Sequence, residues 1–516
     1  PRAEAALAQA APDLLLAGGI RELQRLIDAF DAPWRESSPR LQRLAGMAST
    51  LRWAWEPMAR HMQAAQVAAR RLGDQAELDL AEAYLTGALY PLDQNADGEA
   101  LIAGLKGRPL APDARRLMLM ADCSQHLRRG QMDELPALYG ELLDLLEPQT
   151  HLLAWWESVP PFNWTTVPGM QPLLERYVQG ALARIGGRPL PMRADVNLLR
   201  VFARLWQGRL TEAAAEAAGV EADRRWLACS GELDLGLAIY HLIVAAMQGD
   251  ADAVATQLQW LFTREDGARG ERLRLWQHHM AIYGVRMSDT LGGPERAAAI
   301  AHWATFLKED PLRSDASHNH RAIGVRARHA AALGRWADAA DGFVQLLPQL
   351  PRIDVMGHGM DLRLRAAHAL LQCGRLDEAA ETLAPALQRM RDDGERGQAL
   401  LVGPTVLAAL AEARWGAHLP APLLDELRAA TQLAAALRGG PVPAADAGGG
   451  DDGDGPLSTR EREVLQRMAA GDSNKLIART LDISPHTVKR HVANILDKLA
   501  LSSRGQAAAW WRDHGG

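Results

Sequence analysis

Five times in this chain a glycine is followed by a turn residue and an apolar residue and then, in four of the five, an alanine that opens an amphipathic stretch. The copies are Gly130-Gln-Met-Asp-Glu-Leu135, Gly208-Arg-Leu-Thr-Glu-Ala213, Gly249-Asp-Ala-Asp-Ala-Val254, Gly334-Arg-Trp-Ala-Asp-Ala339 and Gly374-Arg-Leu-Asp-Glu-Ala379. Their glycines are 78, 41, 85 and 40 residues apart, one or two periods of roughly 40. A fainter copy, Gly18-Gly-Ile-Arg-Glu-Leu23, lies near the start. Such a period predicts stacked helical hairpins, each too small to bury its apolar face alone. The small alanine lets two helices approach, and the large residue beside it fills the next groove. Ala, Leu and Arg dominate and β-branched runs are few, which also favours helix.

At 516 residues the chain is too long for one core. The stretch 439–455, Gly-Gly-Pro-Val-Pro-Ala-Ala-Asp-Ala-Gly-Gly-Gly-Asp-Asp-Gly-Asp-Gly, has no apolar periodicity and reads as a flexible linker. It divides the chain into a helical-repeat part, 1–438, and a C-terminal part, 456–516. Charge divides at the same place. The last part carries ten Lys plus Arg against six Asp plus Glu, a net of +4, whereas the whole chain is −6. A basic end suits a polyanion; an acidic body does not. Three cysteines without a Cys-x-x-Cys pair argue against a disulfide framework or zinc ribbon and fit a reducing cytosol. The longest apolar run, Leu235 to Met247, is too short for a membrane span and reads as a buried helix. No signal peptide is visible, so the expected location is cytoplasmic.

The C-terminal part is more specific. Ser458 and Glu461 have capping-box spacing ahead of a helix with Val464, Leu465 and Met468 on one stripe, and Gly471 stands where that helix should stop. Ser473 caps a short second helix with Ile477, Ala478 and Leu481 inward. After a turn at 482–484, Ser484-Pro485 opens a third helix with Val488, Val492, Ile495 and Leu499 on one face. Two short helices joined tightly, the second basic outside, form the helix-turn-helix pattern. On the outward face of that third helix, Lys489 and Arg490 are donors that suit guanine O6 and N7; His486 and Ala493 share this base-reading face. Asn474, Lys475, Thr487, His491 and Lys498 are placed for phosphates. The competing reading is a helical hairpin with a solvated charged face.

The segment resembles the LuxR-type helix-turn-helix effectors. Leu457 to Leu465, Gly471 to Ala478, Ser484 to His491 and Lys498-Leu499 carry that family's motifs. Leu476 replaces the family's usual Glu, so the second helix lacks a reciprocal capping carboxylate. Ala493 stands where some relatives carry a base-contacting Lys, which limits readout there to a thymine methyl at most. The resemblance implies a fourth helix, from Ser502 or Ser503 through Trp511, used for dimerisation, with Trp510 and Trp511 forming the seam or packing on their own domain. The repeats resemble the tetratricopeptide motif at Gly334, Trp336, Ala339, Phe343 and Pro351 and at Gly374, Leu376, Ala379, Leu383 and Ala386. Their longer period is similar to that of the MalT-like regulators. The expected architecture is all-α: a tetratricopeptide-like solenoid, a linker and a four-helix LuxR-type domain. MalT-like relatives carry a nucleotide-binding P-loop module before the repeats. No Gly-x-x-x-x-Gly-Lys-[Ser/Thr] occurs here and the first residue is Pro1, which reads as truncation, the alternative being a regulator that lacks the module.

Little else looks chemical. His278-His279 and His318-Asn319-His320 lack carboxylates at ligand spacing and read as surface or loop histidines, so neither metal nor cofactor is expected. Trp155, Trp156 and Trp164 lie in an aromatic-rich segment that either lines an inducer pocket or pins an inter-repeat loop. No nucleophile constellation supports an enzyme. The reading is a transcription regulator, an activator by resemblance, whose repeats sense a small molecule or partner protein. Paired C-terminal units would bind double-stranded DNA as a homodimer and, for an activator, engage RNA polymerase. The alternative is a protein-interaction scaffold with an accessory helix-turn-helix.

Overall fold

A computed structural model describes residues 2–50, 54–89, 91–92, 94–226, 231–263, 271–307, 320–350, 356–439, 459–470, 472–481 and ten further positions between 488 and 511. Among the described residues there are helices and no strand. Two compact units separate between Val442 and Pro443. Of the linker only Gly439 is described; 440–455 lie outside.

Each repeat glycine marks the turn inside a helical pair. Gly130, Gly208, Gly249, Gly334 and Gly374 have φ of 73°, 78°, 77°, 72° and 73°. A residue with a Cβ resists that left-handed conformation, which closes the first helix and reverses the chain. The pairs so defined include Pro191–Trp206 with Leu210–Trp226, Gly231–Gln248 with Ala251–Thr263, His320–Ala332 with Trp336–Leu346 and His358–Gln372 with Leu376–Asp393. The faint copy at Gly18 behaves alike, between Arg2–Leu16 and Ile20–Asp28. Gly73, at φ 66° between Trp55–Leu72 and Gln75–Leu89, marks a turn that the sequence pattern had not singled out.

The signature alanines do what small residues permit. Ala339 and Ala379 are fully buried at their helix pairs, with Phe343 and Leu383 filling the space beside them. Gly342 brings its backbone so near Ala327 that an added Cβ would stand 2.9 Å from the alanine Cβ. The apolar run Leu235 to Met247 forms most of the Gly231–Gln248 helix, with Leu237, Ile239, Leu242 and Ile243 buried. No described helix is long and apolar enough to cross a membrane.

Packing runs between neighbouring pairs, with one departure from a simple stack. After the Leu376–Asp393 helix, the chain forms a short turn of helix, Arg396–Ala399, and a 3₁₀ turn, Leu400–Val402. Between them they touch the Pro191–Trp206, Gly231–Gln248, Glu271–Leu291, His358–Gln372 and Pro404–Glu412 helices. The same segment also touches the Ala421–Arg438 helix, so it packs on first and second helices alike. The Ala421–Arg438 helix follows and packs on the Gly231–Gln248 helix.

Candidate nucleic-acid interface

The C-terminal unit is built around Val464, Leu465, Met468, Ile477, Ala478, Val488, Ile495 and Ala507, all buried. Val492, Leu499, Leu501, Trp510 and Trp511 pack against them from the edge. The first helix is Thr459–Ala469 and the second Asn474–Thr480. Their apolar stripes are those expected from spacing alone. The carboxylate of Asp472, between the two helices, sits 3.6 Å from Arg467.

Ser473 caps the second helix. It is extended, at φ −68° and ψ 157°, and its Oγ accepts the Leu476 N–H at 3.3 Å. That satisfies one of the free N–H groups of a helix start. Leu476 occupies the position from which a carboxylate would return the bond, and its side chain is 47% exposed. A leucine so placed has no role in this core, which also makes it an unusual residue on a solvent-facing helix start. Asn474 is half-buried on the first turn of this helix.

Val488, Val492, Ile495 and Leu499 occupy the core side of the third helical segment. His486, Thr487, Lys489, Arg490, His491, Ala493 and Lys498 lie outside the described residues, as do the side chain of Lys475, the cap residues Ser458 and Ser484, and Gly471. Trp510 and Trp511 are both half-buried against their own unit's core.

Trp155, Trp156 and Trp164 pack within the repeat unit. Trp164 is fully buried and meets Tyr139 edge-on, with centroids 5.6 Å apart. Trp155 stacks at a tilt on Tyr177, carries Arg184 on its face at 4.2 Å, and donates its indole N–H to the Gln149 carbonyl. Trp156 is half-buried and donates to Asp195 at 2.7 Å. Burial pushes that Asp195 carboxyl up to about 7, with the indole bond pulling the other way. None of the three lines the groove of about 450 Å³ between the Gln171–Ile185 and Pro191–Trp206 helices, whose walls include Leu174, Val178, Leu182, Leu199 and Arg200. No grouping of three or more His, Cys, Asp or Glu among the described residues could hold a metal ion; His318 lies outside them.

A core of this size, wrapped by two short helices, the second capped by Ser473, and an apolar stripe from a third segment, is that of a helix-turn-helix module. Residues 455–511 match the family described as bacterial regulatory proteins, luxR family, and this part of the chain is a LuxR-type helix-turn-helix domain. It is 52% identical over 54 residues to the nitrate/nitrite response regulator protein NarL of Escherichia coli K12, covering 10% of this chain and 25% of that one. It is 45% identical over 58 residues to the CsgBAC operon transcriptional regulatory protein of the same organism, covering 11% and 27%. A transcriptional regulatory protein of Bacillus subtilis, YhcZ, is 54% identical over 52 residues, covering 10% and 24%. The chain thus spans about a quarter of the length of these curated relatives.

Proposed function

We propose that this protein is a DNA-binding transcription regulator in three parts: a helical-repeat sensor over 1–438, a linker over 439–455 and a DNA-binding domain over 456–516. The match of residues 455–511 to the luxR family carries this reading. Its third helix enters the major groove. Lys489 and Arg490 read base edges, with His486 and Ala493 beside them; Asn474, Lys475, Thr487, His491 and Lys498 hold phosphates. Two units bind together, because one short helix reads too few bases for specificity and a tethered second raises the effective concentration. Trp510 and Trp511 belong to the pairing element. The repeats receive a signal from a small molecule or partner protein, as in the MalT-like regulators that their period resembles. Activation through RNA polymerase is the mode that resemblance suggests, and the work is done in the compartment that holds the DNA.

The test is selection of genomic fragments by the full chain, alongside Lys489→Ala/Arg490→Ala. Enriched fragments sharing a two-fold motif, lost in the double variant, support the reading. No enrichment at low salt and high protein concentration, with or without the substitutions, ends it. Equal weakening on every sequence would reassign the two side chains to phosphate.

A further inference from the structure

Three helices, Glu271–Leu291, His320–Ala332 and His358–Gln372, gather a cluster of charged side chains, with Arg296 at its edge. Asp361 accepts from Arg328 and, at 2.7 Å, from Arg365. Asp289 meets Arg328 at 2.6 Å, Arg365 at 2.8 Å and Arg296 at 3.3 Å. Both oxygens of each carboxylate are thereby engaged, and Arg286 receives neither carboxylate. Arg286 is only 9% exposed. Its Nη2 donates to the Met356 carbonyl at 2.9 Å, and its Nε has no hydrogen-bond partner. Taking a guanidinium out of water is costly unless an anion compensates it, and a neutral carbonyl compensates only in part. Among the described residues the cluster thus sets four cations against two anions, and the surplus falls on Arg286.

Half-buried donors lie beside this buried charge. Tyr283 precedes Arg286 by one helical turn, and His358 follows Met356 by two residues. His320 is near enough to His358 to act on its charge. All three side chains are half-buried, so the place is reached from the surface, and among the described residues none of them has a hydrogen-bond partner. His320 and His358 are each the first residue of a helix, the end where the peptide dipoles add positive potential. Burial, with Arg286 and Arg328 adding to it, holds the His358 imidazole down at about 3. That ring is therefore neutral near neutral pH and offers one N–H. Positive charge without a counter-charge and donors without acceptors occupy the same place.

We propose that this place binds a phosphate monoester, its dianionic group held by Arg286 with Tyr283, His358 and His320 around it. Such a group carries a charge of about −1.5 to −2 near neutral pH, which matches the surplus, and its three oxygens accept from several donors at once. A single carboxylate brings half that charge and two oxygens. The site deepens the reading of the repeats as the sensing part by naming what the sensed small molecule carries, and its regulatory meaning rests on that reading. Binding is measured without DNA, so a failure of the DNA-binding reading would leave this test intact.

The probe is inorganic phosphate, titrated into the full chain against acetate and chloride at matched ionic strength. Thermal melts and hydrogen exchange by mass spectrometry read the result. Phosphate should raise Tm along a saturating curve and slow exchange at 283–290 and 356–362, and acetate should need at least tenfold higher concentration. General salting-out also stabilises proteins, but it neither saturates nor singles out one place. Arg286→Met should keep its helical circular dichroism and bind phosphate at least tenfold more weakly, the loss expected for one charge-assisted bond. Arg286→Gln, which still offers a donor to the Met356 carbonyl, should lose phosphate alike and decides if the methionine variant unfolds. Local, saturable protection in the unmodified chain, absent from a folded variant, upholds the site. A response that never saturates, protection spread over the whole array, acetate as effective as phosphate, or undiminished binding in a folded Arg286 variant overturns the proposal.

Discussion

Replacing Asp361 with Asn should damage the repeat unit far more than replacing Arg286 with Met, although both sites are buried. Asp361 is 1% exposed and accepts from Arg328 and Arg365. Both guanidiniums also reach Asp289, at 2.6 and 2.8 Å, and Arg296 lies 3.3 Å from that carboxylate. Arg286 adds a fourth guanidinium, bonded to the Met356 carbonyl at 2.9 Å, with a buried Nε that has no hydrogen-bond partner. The cluster therefore holds four cations against two anions. Burial pulls the Arg286 guanidinium below its usual value despite the neighbouring Asp361. Burial alone would push Asp361 up, but Arg328, Arg365 and Arg286 prevail and hold it well below the carboxylate range. Asp361→Asn leaves four guanidiniums on one carboxylate, and stripping a partner from a buried pair costs about 3–5 kcal/mol. Arg286→Met removes a surplus cation, fills most of its volume and loses one charge-assisted hydrogen bond worth about 1.5–3 kcal/mol, offset by the relief of burying an unbalanced charge. Its net effect should stay within about 1 kcal/mol. A repeat array need not unfold in one step, so native-state hydrogen exchange in the Glu271–Leu291 and His358–Gln372 helices is the assay. Equal losses from both substitutions would refute the charge reasoning.

Three further outcomes follow from single sites. Leu476→Glu should stabilise the C-terminal unit by about 0.5–1 kcal/mol, by returning a bond to the Ser473 N–H and placing negative charge at a helix start; thermal melts showing no gain would mean that this end is already satisfied. Asp195 titrates higher in the folded chain than unfolded, so its ionisation weakens the fold as pH rises from the ordinary carboxylate range through about 7. Asp195→Asn keeps an acceptor for Trp156, and should raise Tm more at pH 8 than at pH 5; a gain of the same size at both would remove the carboxylate from the explanation. His368 behaves oppositely. Burial, with Arg365 and Arg296 nearby, lowers it to about 4, so its contribution is full above its unfolded value and fades as pH falls towards 4. His368→Asn should flatten that part of the stability–pH curve, and an unchanged curve would count against it.

The turns were legible because each rests on one residue. A glycine at positive φ ends a helix with little regard to what surrounds it, so the five copies of the signature mark turns in the sequence itself. The small C-terminal unit was legible for a related reason. Its caps and stripes are local, and Val464, Leu465, Ile477, Val488 and Ile495 face inward as their spacing requires. Gly73 escaped only because its turn had not been matched to the others. Ala421–Arg438 and Glu395–Gly403 escaped for a deeper reason. Arg438 bonds carbonyls 147 to 192 positions earlier, and nothing in its neighbourhood in sequence tells it from any other arginine at a helix end. Gln398, completely buried, reads as a surface residue. The tryptophans show the same limit from the other side. An aromatic-rich loop suggests a pocket, yet Trp155 and Trp164 are buried among Tyr177, Tyr139 and their neighbours. Sequence pattern reports how a segment folds on itself. Which surface it then covers is decided by residues far away in the sequence, as the bonds from Arg438 to the ends of two earlier helices show.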